Sequence, residues 1–250
     1  TLLNRDTFKF DSIKDYLKKL HSKGIKIIPN SSKTEKEILE FNQELGLDLP
    51  YISENGSVIK GMNLINSNFP NEIILSRDKD ELLKIFEKTV SENLKEKCGH
   101  ILDMSKKRQM EIFGLTNNKL KNATKRKYSI PMLFKGNKSE KNELVKILKT
   151  KSLTFQDGGR VQNLCDNVNK VKAMNKVLKI FKKIQDNTKV IGVGDNYNDL
   201  EMLRNCDIPC LVFNDQFKED QINIENLIFS NQPAPEGWAD VVKKAIVKVV

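Results

Sequence analysis

The spacing of apolar residues in the first third of the chain predicts alternating helices and short strands. Residues 11–23 place apolar side chains every three or four positions, which indicates a helix, and IKIIP at 25–29 follows as a buried strand. Thr34 and Glu37 form a T-x-x-E capping box that opens a helix running to Gly46. Further short strands are expected near 51–53, 57–60 and 72–75. This alternation favours a parallel sheet with helices on its faces.

The middle of the chain has a different pattern, which predicts an inserted domain at residues 78–167. A polar helix is expected over about 80–96, and another begins near 105. KYSIPMLFK at 127–135 predicts a strand, and Pro131 favours an edge or a bulge because proline has no N–H to donate. The α+β block is completed by a helix and two strands, expected at 139–149, 152–156 and 160–165.

The α/β pattern resumes after the insertion, so residues 1–77 and 168–250 are expected to form two parts of one core domain. A helix is predicted to about residue 184, followed by the strand KVIGV at 189–193. The remaining elements are a helix from about 198, a strand at 210–213, and a C-terminal helix with core residues Trp238, Val241, Val242 and Ala245.

The composition is that of a globular protein: 250 residues, 38% hydrophobic and 30% charged. No apolar run approaches the roughly 20 residues of a membrane-spanning helix, and no export signal opens the chain. The four cysteines form no CxxC pair and there are only two histidines, which argues against a zinc site and favours reduced thiols. We therefore expect a cytoplasmic protein with no membrane attachment.

The charge is strongly positive, +10 from 43 basic and 33 acidic residues. Only six basic residues are arginines, and the lysines are spread along nearly every predicted helix. Such a distribution favours solvated surface lysines, and we expect no nucleic-acid partner. A basic surface still favours a small anionic substrate. The oligomeric state is not predicted.

The strongest local signal is VIGVGDNYNDLEML at residues 190–203. An apolar strand ends at Gly194, and Asp195, Asn198 and Asp199 follow before a helix begins. Ligands of open α/β sheets bind beyond the carboxyl ends of the strands, where these side chains are expected. Two carboxylates and a carboxamide are hard oxygen ligands that suit Mg²⁺. The alternative is a strand–helix turn in which these side chains only cap the helix.

A second signal is IIPNSSKT at residues 27–34. Ser31 and Ser32 follow a predicted buried strand, with Lys33 beside them at the start of a helix. Hydroxyls, free N–H groups and an ammonium at a helix N-terminus make a phosphate cradle. Serines in this position are also common caps, so both interpretations stay open.

Two further residues have weaker signals. Lys170 begins a predicted helix after a strand, where it is either a phosphate ligand or one more solvated lysine. Arg160 follows Asp157-Gly158-Gly159. Its guanidinium either makes a bidentate contact with a carboxylate or phosphate, or it is a surface charge. Together with the two stronger signals, these residues could bind a phosphoryl group and Mg²⁺.

The order of these motifs resembles motifs two to four of the haloacid-dehalogenase superfamily. The chain is more specifically similar to mannosyl-3-phosphoglycerate phosphatases, and the similarity spans nearly its whole length. The segments that carry it are NSSKT at 30–34, PYISENGSVI at 50–59, RKYS at 126–129, GGR at 158–160, GVGDNYND at 192–199 and PEGW at 235–238.

The resemblance implies a Rossmann-like α/β core with a parallel sheet and an inserted α/β cap of the C2 type. It implies Mg²⁺-dependent hydrolysis of a mannosyl- or glucosyl-3-phosphoglycerate through an aspartyl-phosphate, which yields a hexosylglycerate, a compatible solute. The alternatives are another sugar-phosphate or sucrose-phosphate phosphatase of the superfamily, or a non-catalytic binding protein of the same fold.

The resemblance also implies roles for individual residues. Ser31 and Lys170 would hold the phosphoryl group, with Ser32 and Lys33 in the same loop. Asp195 would bind Mg²⁺, and Asn198 and Asp199 would complete or orient its site, so that Asp199 also serves catalysis. The remaining substrate contacts would come from Glu54, Asn55, Arg126 and Arg160.

One departure concerns the family's first motif, D-x-D-G-[TS]-L, which supplies the nucleophile and the general acid/base. Thr1-Leu2-Leu3 matches only the end of that motif. We therefore expect the 250 residues to be part of a longer protein, with the first strand and both aspartates upstream of Thr1. We expect the 250 residues alone to be inactive. Lys127 and Val171 also differ from the family's usual residues, which leaves the sugar open.

Overall fold

The structure is a computed structural model that describes residues 1–157, 161–215 and 222–248. It divides into two compact units, one of Thr1–Ile27 with Met174–Val250 and one of Ile28–Ala173. These divisions differ from the expected ends of the inserted domain, so the boundaries at 78 and 167 stay a prediction. None of the described helices is both long and apolar enough to span a membrane.

The unit of Thr1–Ile27 and Met174–Val250 contains a parallel sheet in the order β10-β9-β8. The central strand β9 pairs with both neighbours, with Cys210 opposite Val193 of β8 and opposite Ile228 of β10. The carboxyl ends of these strands therefore lie at one edge of the sheet. Its elements are α1 (Lys14–Ser22), most of α8 (Lys170–Phe181), β8 (Ile191–Gly194), α9 (Leu200–Arg204), β9 (Ile208–Val212), β10 (Ile228–Ser230) and α10 (Glu236–Val247).

The core of this unit is built from the predicted apolar faces. On α1, Leu17 and Leu20 are buried, and the ring of Tyr16 packs edge-on against Trp238 of α10 with centroids 6.5 Å apart. The prediction for the C-terminal helix is confirmed, since all four of its expected core residues are buried: Trp238, Val241, Val242 and Ala245.

The unit of Ile28–Ala173 contains two antiparallel sheets, β1-β2-β3 and β4-β5-β7-β6. Helices α3 and α7 cover the larger sheet, with Phe86, Leu144 and Met132 in one apolar cluster. The elements are α2 (Glu35–Leu45), β1 (Tyr51–Ser53), β2 (Val58–Lys60), β3 (Glu72–Ile74), α3 (Lys79–Thr89), α4 (Glu92–Lys95), β4 (Cys98–His100), α5 (Lys106–Phe113), α6 (Asn117–Ala123), β5 (Ser129–Phe134), α7 (Lys138–Lys149), β6 (Leu153–Asp157) and β7 (Gln162–Asp166).

Three predictions about the strands were wrong in detail. Residues 25–29 form no strand, and the residue after them, Asn30, makes an isolated parallel bridge to Ile52 of β1. The three short strands that follow are antiparallel, not parallel. Pro131 lies inside the larger sheet, not at its edge, since β4 covers β5 only from Met132 onward and requires no N–H from the proline.

An arginine–carboxylate fork joins the segment before α3 to the end of β7. Arg77 donates from Nε to Oδ2 of Asp166 and from Nη2 to Oδ1, each at 2.8 Å. The backbone N–H of Arg77 adds a third bond to Oδ2 at 3.0 Å. Burial alone would raise the pKa of Asp166, but the bonds from Arg77 outweigh it and lower the pKa. The two chain segments are thereby held together at their ends.

Candidate active site

The loop after β8 is shaped by a close contact between Gly194 and Asp199. A Cβ atom placed on Gly194 would lie 2.5 Å from the Cβ of Asp199, so only glycine fits here. The side chain of Asn196 caps the short 3₁₀ helix Tyr197–Asp199, and Asp199 completes the capping box. The motif GDNYND thus folds as a strand end, a tight turn and a capped helical turn.

Asp199 faces the backbone of its own loop. Its side chain is only 1% exposed, and Oδ2 accepts hydrogen bonds from the N–H groups of Asp195 at 3.1 Å and Asn196 at 3.2 Å. Hydrogen bonds to an ionised carboxylate are stronger than those between neutral groups. In this arrangement Asp199 fixes the backbone that presents Asp195.

The carboxylate of Asp195 lies beside Thr1. Its side chain is 30% exposed, and Oδ2 lies 3.1 Å from the backbone nitrogen of Thr1, whose hydroxyl donates to Oδ1. Asn214, just beyond β9, holds the Asp195 carbonyl through Nδ2 at 2.9 Å. Asn198 is exposed one turn further on.

These oxygen groups fit a hard divalent cation. Asp195 offers a partly exposed carboxylate, and Asn198 offers an exposed amide. Among the described residues no group of three His, Cys, Asp or Glu side chains could hold a metal. A cation here would therefore depend on few protein ligands and on water or substrate oxygens, as Mg²⁺ sites commonly do.

In the other unit, Ser31 lies in a loop fixed by β1 and the turn after it. Its N–H donates to the carbonyl of Ile52 at 3.0 Å, and its carbonyl accepts from the N–H of Asn55 at 2.9 Å. Its hydroxyl accepts from the N–H of Lys33 at 3.1 Å. This turn leads into α2, where the predicted capping box of Thr34 and Glu37 is confirmed.

The start of α8 lies beside this loop. Asn30 donates from Nδ2 to the carbonyl of Lys170 at 3.0 Å. Gly56 packs against the chain just before Lys170, where a Cβ atom on it would lie 2.3 Å from the carbonyl oxygen of Asn169. The structure therefore brings the loop that contains Ser31 close to the backbone of Lys170, and the phosphate cradle stays a prediction.

The turn Glu54–Gly56, which follows β1, is conformationally strained. Glu54 and Asn55 have φ angles of +47° and +61°, and Gly56 follows at +100°. Non-glycine residues in this region cost of order 1–3 kcal/mol each and cluster at functional sites. Both strained residues are buried, at 2% and 6% exposure. Their conformation is imposed by the surrounding bonds.

The carboxylate of Glu54 is saturated by the segment before β5. Oε1 accepts from the N–H of Lys127 at 2.9 Å, and Oε2 accepts from the N–H of Tyr128 at 3.1 Å and the hydroxyl of Ser129 at 2.6 Å. Arg126, itself buried, donates from Nη1 to Ser129 Oγ at 3.0 Å and to the carbonyl of Ser32 at 3.3 Å. The predicted residues Ser32, Glu54 and Arg126 therefore share one network.

Two lysines near this network, the predicted Lys33 and also Lys127, have carboxylate partners. Lys33 pairs with Glu37 at 2.9 Å. Burial alone would raise the pKa of Glu37, but Lys33 and the N–H of Thr34 outweigh it and lower the pKa. Lys127 pairs with Glu35 at 3.0 Å, and Glu35 also accepts from Lys60 at 2.8 Å. Burial opposes ionisation of Glu35, but the two lysines lower its pKa to about 2.

The predicted residues are thus distributed over both units. Asp195, Asn198 and Asp199 lie in one loop after β8, whereas Ser31, Ser32, Lys33, Glu54, Asn55, Arg126 and Lys170 lie in the unit of Ile28–Ala173. Arg160 lies outside the described residues.

Sequence reasoning missed Asn214 and Ser129. Asn214 follows β9 as Asp195 follows β8, so its place after a strand could have indicated it. Ser129 ends the segment RKYS and begins a buried strand, but its residue type does not show that its hydroxyl bonds to Glu54.

Comparison of the sequence with known proteins identifies its family. Residues 1–218 match the family model of haloacid dehalogenase-like hydrolases. A glucosyl-3-phosphoglycerate/mannosyl-3-phosphoglycerate phosphatase of Persephonella marina is 28% identical, over 100% of this chain and 95% of its own. A mannosyl-3-phosphoglycerate phosphatase of Pyrococcus horikoshii is 29% identical, over 87% of this chain and 89% of its own.

A solved structure agrees in fold. The HAD subclass IIB sugar phosphatase BT4131 aligns with a TM-score of 0.67 and 18% identity, covering 98% of this chain and 95% of its own. The α/β fold predicted from the sequence, with its Rossmann-like core and cap, is therefore confirmed.

Proposed function

We propose that this chain, which belongs to the haloacid dehalogenase-like hydrolase family, is a phosphatase for a hexosyl-3-phosphoglycerate. The products would be phosphate and mannosyl- or glucosylglycerate, a compatible solute, and the site of action would be the cytoplasm. The observation that carries the proposal is the similarity to phosphatases named for this substrate, along 95% and 89% of their length. The basic charge of the chain agrees with an anionic substrate.

Phosphate binding is proposed for the loop before α2 and the start of α8. Ser31 would hold a phosphoryl oxygen, and Lys170 would compensate its charge beside Ser32 and Lys33. The bonds from Ser31 to Ile52 and Asn55 hold the loop in place before substrate arrives. Pre-organised donors of this kind stabilise charge that develops in a transition state.

Metal binding is proposed for the loop after β8. Asp195 and Asn198 would hold Mg²⁺, and Asp199 would orient that loop through its bonds to the backbone. When bound, Mg²⁺ supplies positive charge beside the phosphoryl oxygens. The resemblance implies an aspartyl-phosphate intermediate, and no residue of this chain is assigned as its nucleophile.

Substrate recognition is proposed for the hydrogen-bond network around Glu54 together with the predicted cap at 78–167. Arg126 and Arg160 would bind the glycerate carboxylate or the phosphate, and Asn55 would lie near the substrate. Arg126 supports this role because the residue is buried, at 8% exposure, and its Nε has no hydrogen-bond partner among the described residues. A buried cation in that state is stabilised by an anionic ligand.

The test is phosphate release from mannosyl- and glucosyl-3-phosphoglycerate, with Mg²⁺ or EDTA, by the 250-residue chain and by the product of its complete gene. We expect no turnover by the 250-residue chain alone. The product of the complete gene should show turnover that requires Mg²⁺ and falls at least a hundredfold in Asp195→Asn. Asp186→Asn, which changes an exposed carboxylate of the same unit, is the matched control and should retain full activity.

The other outcomes separate the remaining candidates. Turnover of sucrose phosphate or another sugar phosphate at a higher kcat/KM would replace the substrate but keep the reaction. No turnover of any phosphomonoester by the folded gene product would contradict the proposal and favour a binding protein.

A further inference from the structure

Arg126 has an unusual environment for a buried cation. Its side chain is 92% buried, since its exposure is 8%. Within the described residues Nη1 donates to two neutral oxygens, the carbonyl of Ser32 and the hydroxyl of Ser129, while Nε has no partner. The bond to Ser32, at 3.3 Å, is long for an N–H···O bond. The shorter bond to Ser129 is therefore the firmer restraint on the guanidinium.

The hydroxyl of Ser129 has a direction set by its two neighbours. A guanidinium can only donate, and an ionised carboxylate can only accept. Ser129 therefore accepts from Arg126 at 3.0 Å and donates to Glu54 Oε2 at 2.6 Å. Both bonds involve a charged group, which makes them stronger than neutral hydrogen bonds. The two hydrogen bonds therefore run in one direction, from the Arg126 guanidinium to the Ser129 hydroxyl and from that hydroxyl to the Glu54 carboxylate.

The Glu54 carboxylate, which accepts the hydrogen bond from Ser129, is held in a fixed orientation. Glu54 is held by the N–H groups of Lys127 and Tyr128 in addition to Ser129, and its own backbone is fixed by the bond from its N–H to the carbonyl of Lys33 at 2.9 Å. Ser129 is fully buried at the first position of β5, opposite Cys165 of β7. The Glu54 carboxylate and the backbone that carries the Ser129 hydroxyl are therefore both held in place.

We propose that Ser129 is a positioning residue for anion binding: its hydroxyl couples Arg126 to Glu54 and holds the guanidinium beside Ser32. This inference rests on the proposed function, in which Arg126 binds the carboxylate or phosphate of the substrate. It also changes the role that the family resemblance implies for Glu54. With three donors on its carboxylate, Glu54 acts through Ser129 and not by direct contact with substrate.

The first measurement is binding of 3-phosphoglycerate, a probe with both anionic groups, by calorimetry on the full chain with Mg²⁺. Ser129→Ala should weaken binding about tenfold, the effect of losing one charge-assisted hydrogen bond. Ser129→Thr keeps the hydroxyl and should stay within about threefold of the original chain. Ser53→Ala is the matched control, because its hydroxyl is equally buried but has no hydrogen-bond partner among the described residues.

A double-mutant cycle tests whether Ser129 acts through Arg126. In the Arg126→Lys background, Ser129→Ala should weaken 3-phosphoglycerate binding by less than about twofold further. In the active gene product, Ser129→Ala should raise KM about tenfold and leave kcat within about twofold. If Ser129→Ala only damaged the structure, kcat would fall as well, and Ser129→Thr would not restore the KM of the original protein.

The outcomes separate this inference from the proposed function. If 3-phosphoglycerate binding follows the expected pattern but no phosphomonoester is hydrolysed, the proposed function fails and the inference stands. If hydrolysis occurs but Ser129→Ala binds the probe as tightly as the original chain, the inference fails alone. Equal losses in the Arg126 and Arg126→Lys backgrounds would also overturn it, as would an original chain that does not bind 3-phosphoglycerate.

Discussion

Acidic residues of similar appearance in the sequence have different environments in the structure. The carboxylates of Asp199 and Glu54 are buried and occupied by donors of the protein itself. Asp195 is partly exposed. A carboxylate saturated by donors of the protein shapes the loop around it, whereas a partly exposed one is accessible to a ligand. The structure thereby distinguishes carboxylates that are enclosed from one that is accessible.

The role of Asp199 gives a prediction at this scale. Asp199→Asn keeps the shape of the side chain but removes the charge that strengthens its bonds to the N–H groups of Asp195 and Asn196. We expect the Mg²⁺ concentration for half-maximal activity to rise about tenfold, with a modest loss of stability of about 1–2 kcal/mol.

A Mg²⁺ titration of activity and a urea unfolding curve measure the two effects. Glu201→Gln, an exposed change in the following helix, is the control. An unchanged Mg²⁺ requirement in Asp199→Asn would show that the loop does not depend on these bonds.

Single residues also show what the sequence could not predict. The loop after β8 was indicated by its residue types and their place after a strand. The part played by Ser129 depends on Glu54, 75 positions earlier in the chain, and a lone serine has no local pattern that reveals such a partner. Hydrogen bonds over such separations are set by the fold.

At the scale of elements, local signals were predicted more accurately than pairing. The α2 helix begins at its capping box and ends at Gly46 in a left-handed conformation, because both signals act within one turn of the chain. Residues 25–29 have the composition of a strand but form none, since a strand requires a continuous ladder with a neighbour, and the bridge at this point is the isolated one between Asn30 and Ile52. Pairing depends on distant segments, which composition does not encode.

The strained turn after β1 yields a prediction for its glycine. Gly56→Ala adds a Cβ atom 2.3 Å from the carbonyl oxygen of Asn169, at a φ of +100° that disfavours side chains. We expect a loss of about 3 kcal/mol or more in the free energy of unfolding. Gly24→Ala is the matched control, because Gly24 also has a positive φ, +82°, but a Cβ atom placed on it would have nothing within 4 Å.

The Gly24→Ala variant should lose only about 1 kcal/mol, the cost of the backbone conformation alone. Urea midpoints for both variants measure the difference. Similar losses in the two variants would show that the contact with Asn169 carries no cost.

The link between α2, β2 and the segment before β5 predicts a pH dependence. Glu35 accepts from Lys60 and Lys127, which lower its pKa to about 2 against an ordinary value of about 4.3. Because the folded pKa is the lower one, this stabilisation is complete above about pH 5 and is lost as the pH falls toward 2.

Unfolding curves of the original chain and Glu35→Gln should therefore differ most near pH 7 and converge near pH 2. Glu44→Gln, on an exposed position of the same helix, should show no such convergence. A Glu35→Gln difference that is constant with pH would contradict the ion-pair explanation.

At the scale of the whole molecule, the sequence was sufficient for the fold class. Motifs in a fixed order along nearly the whole chain indicated a Rossmann-like core with a cap, and the structural comparison agrees. The order of motifs is a property of the linear sequence, so it survives where pairwise identity is low. Domain limits are not such a property, and the ends of the cap at 78 and 167 stay a prediction.

The four cysteine thiols can be used to follow the unfolding of the two units separately. Cys98 and Cys165 belong to the unit of Ile28–Ala173, and Cys206 and Cys210 to the other. Burial raises the pKa of Cys98 to about 11 and of each of the other three to about 12, so near neutral pH none is an alkylation target while the protein is folded. Pulses of iodoacetamide during a urea titration, followed by peptide mass mapping, would record each pair separately. Labelling of both pairs at one urea concentration would mean cooperative melting, and two concentrations would mean independent melting.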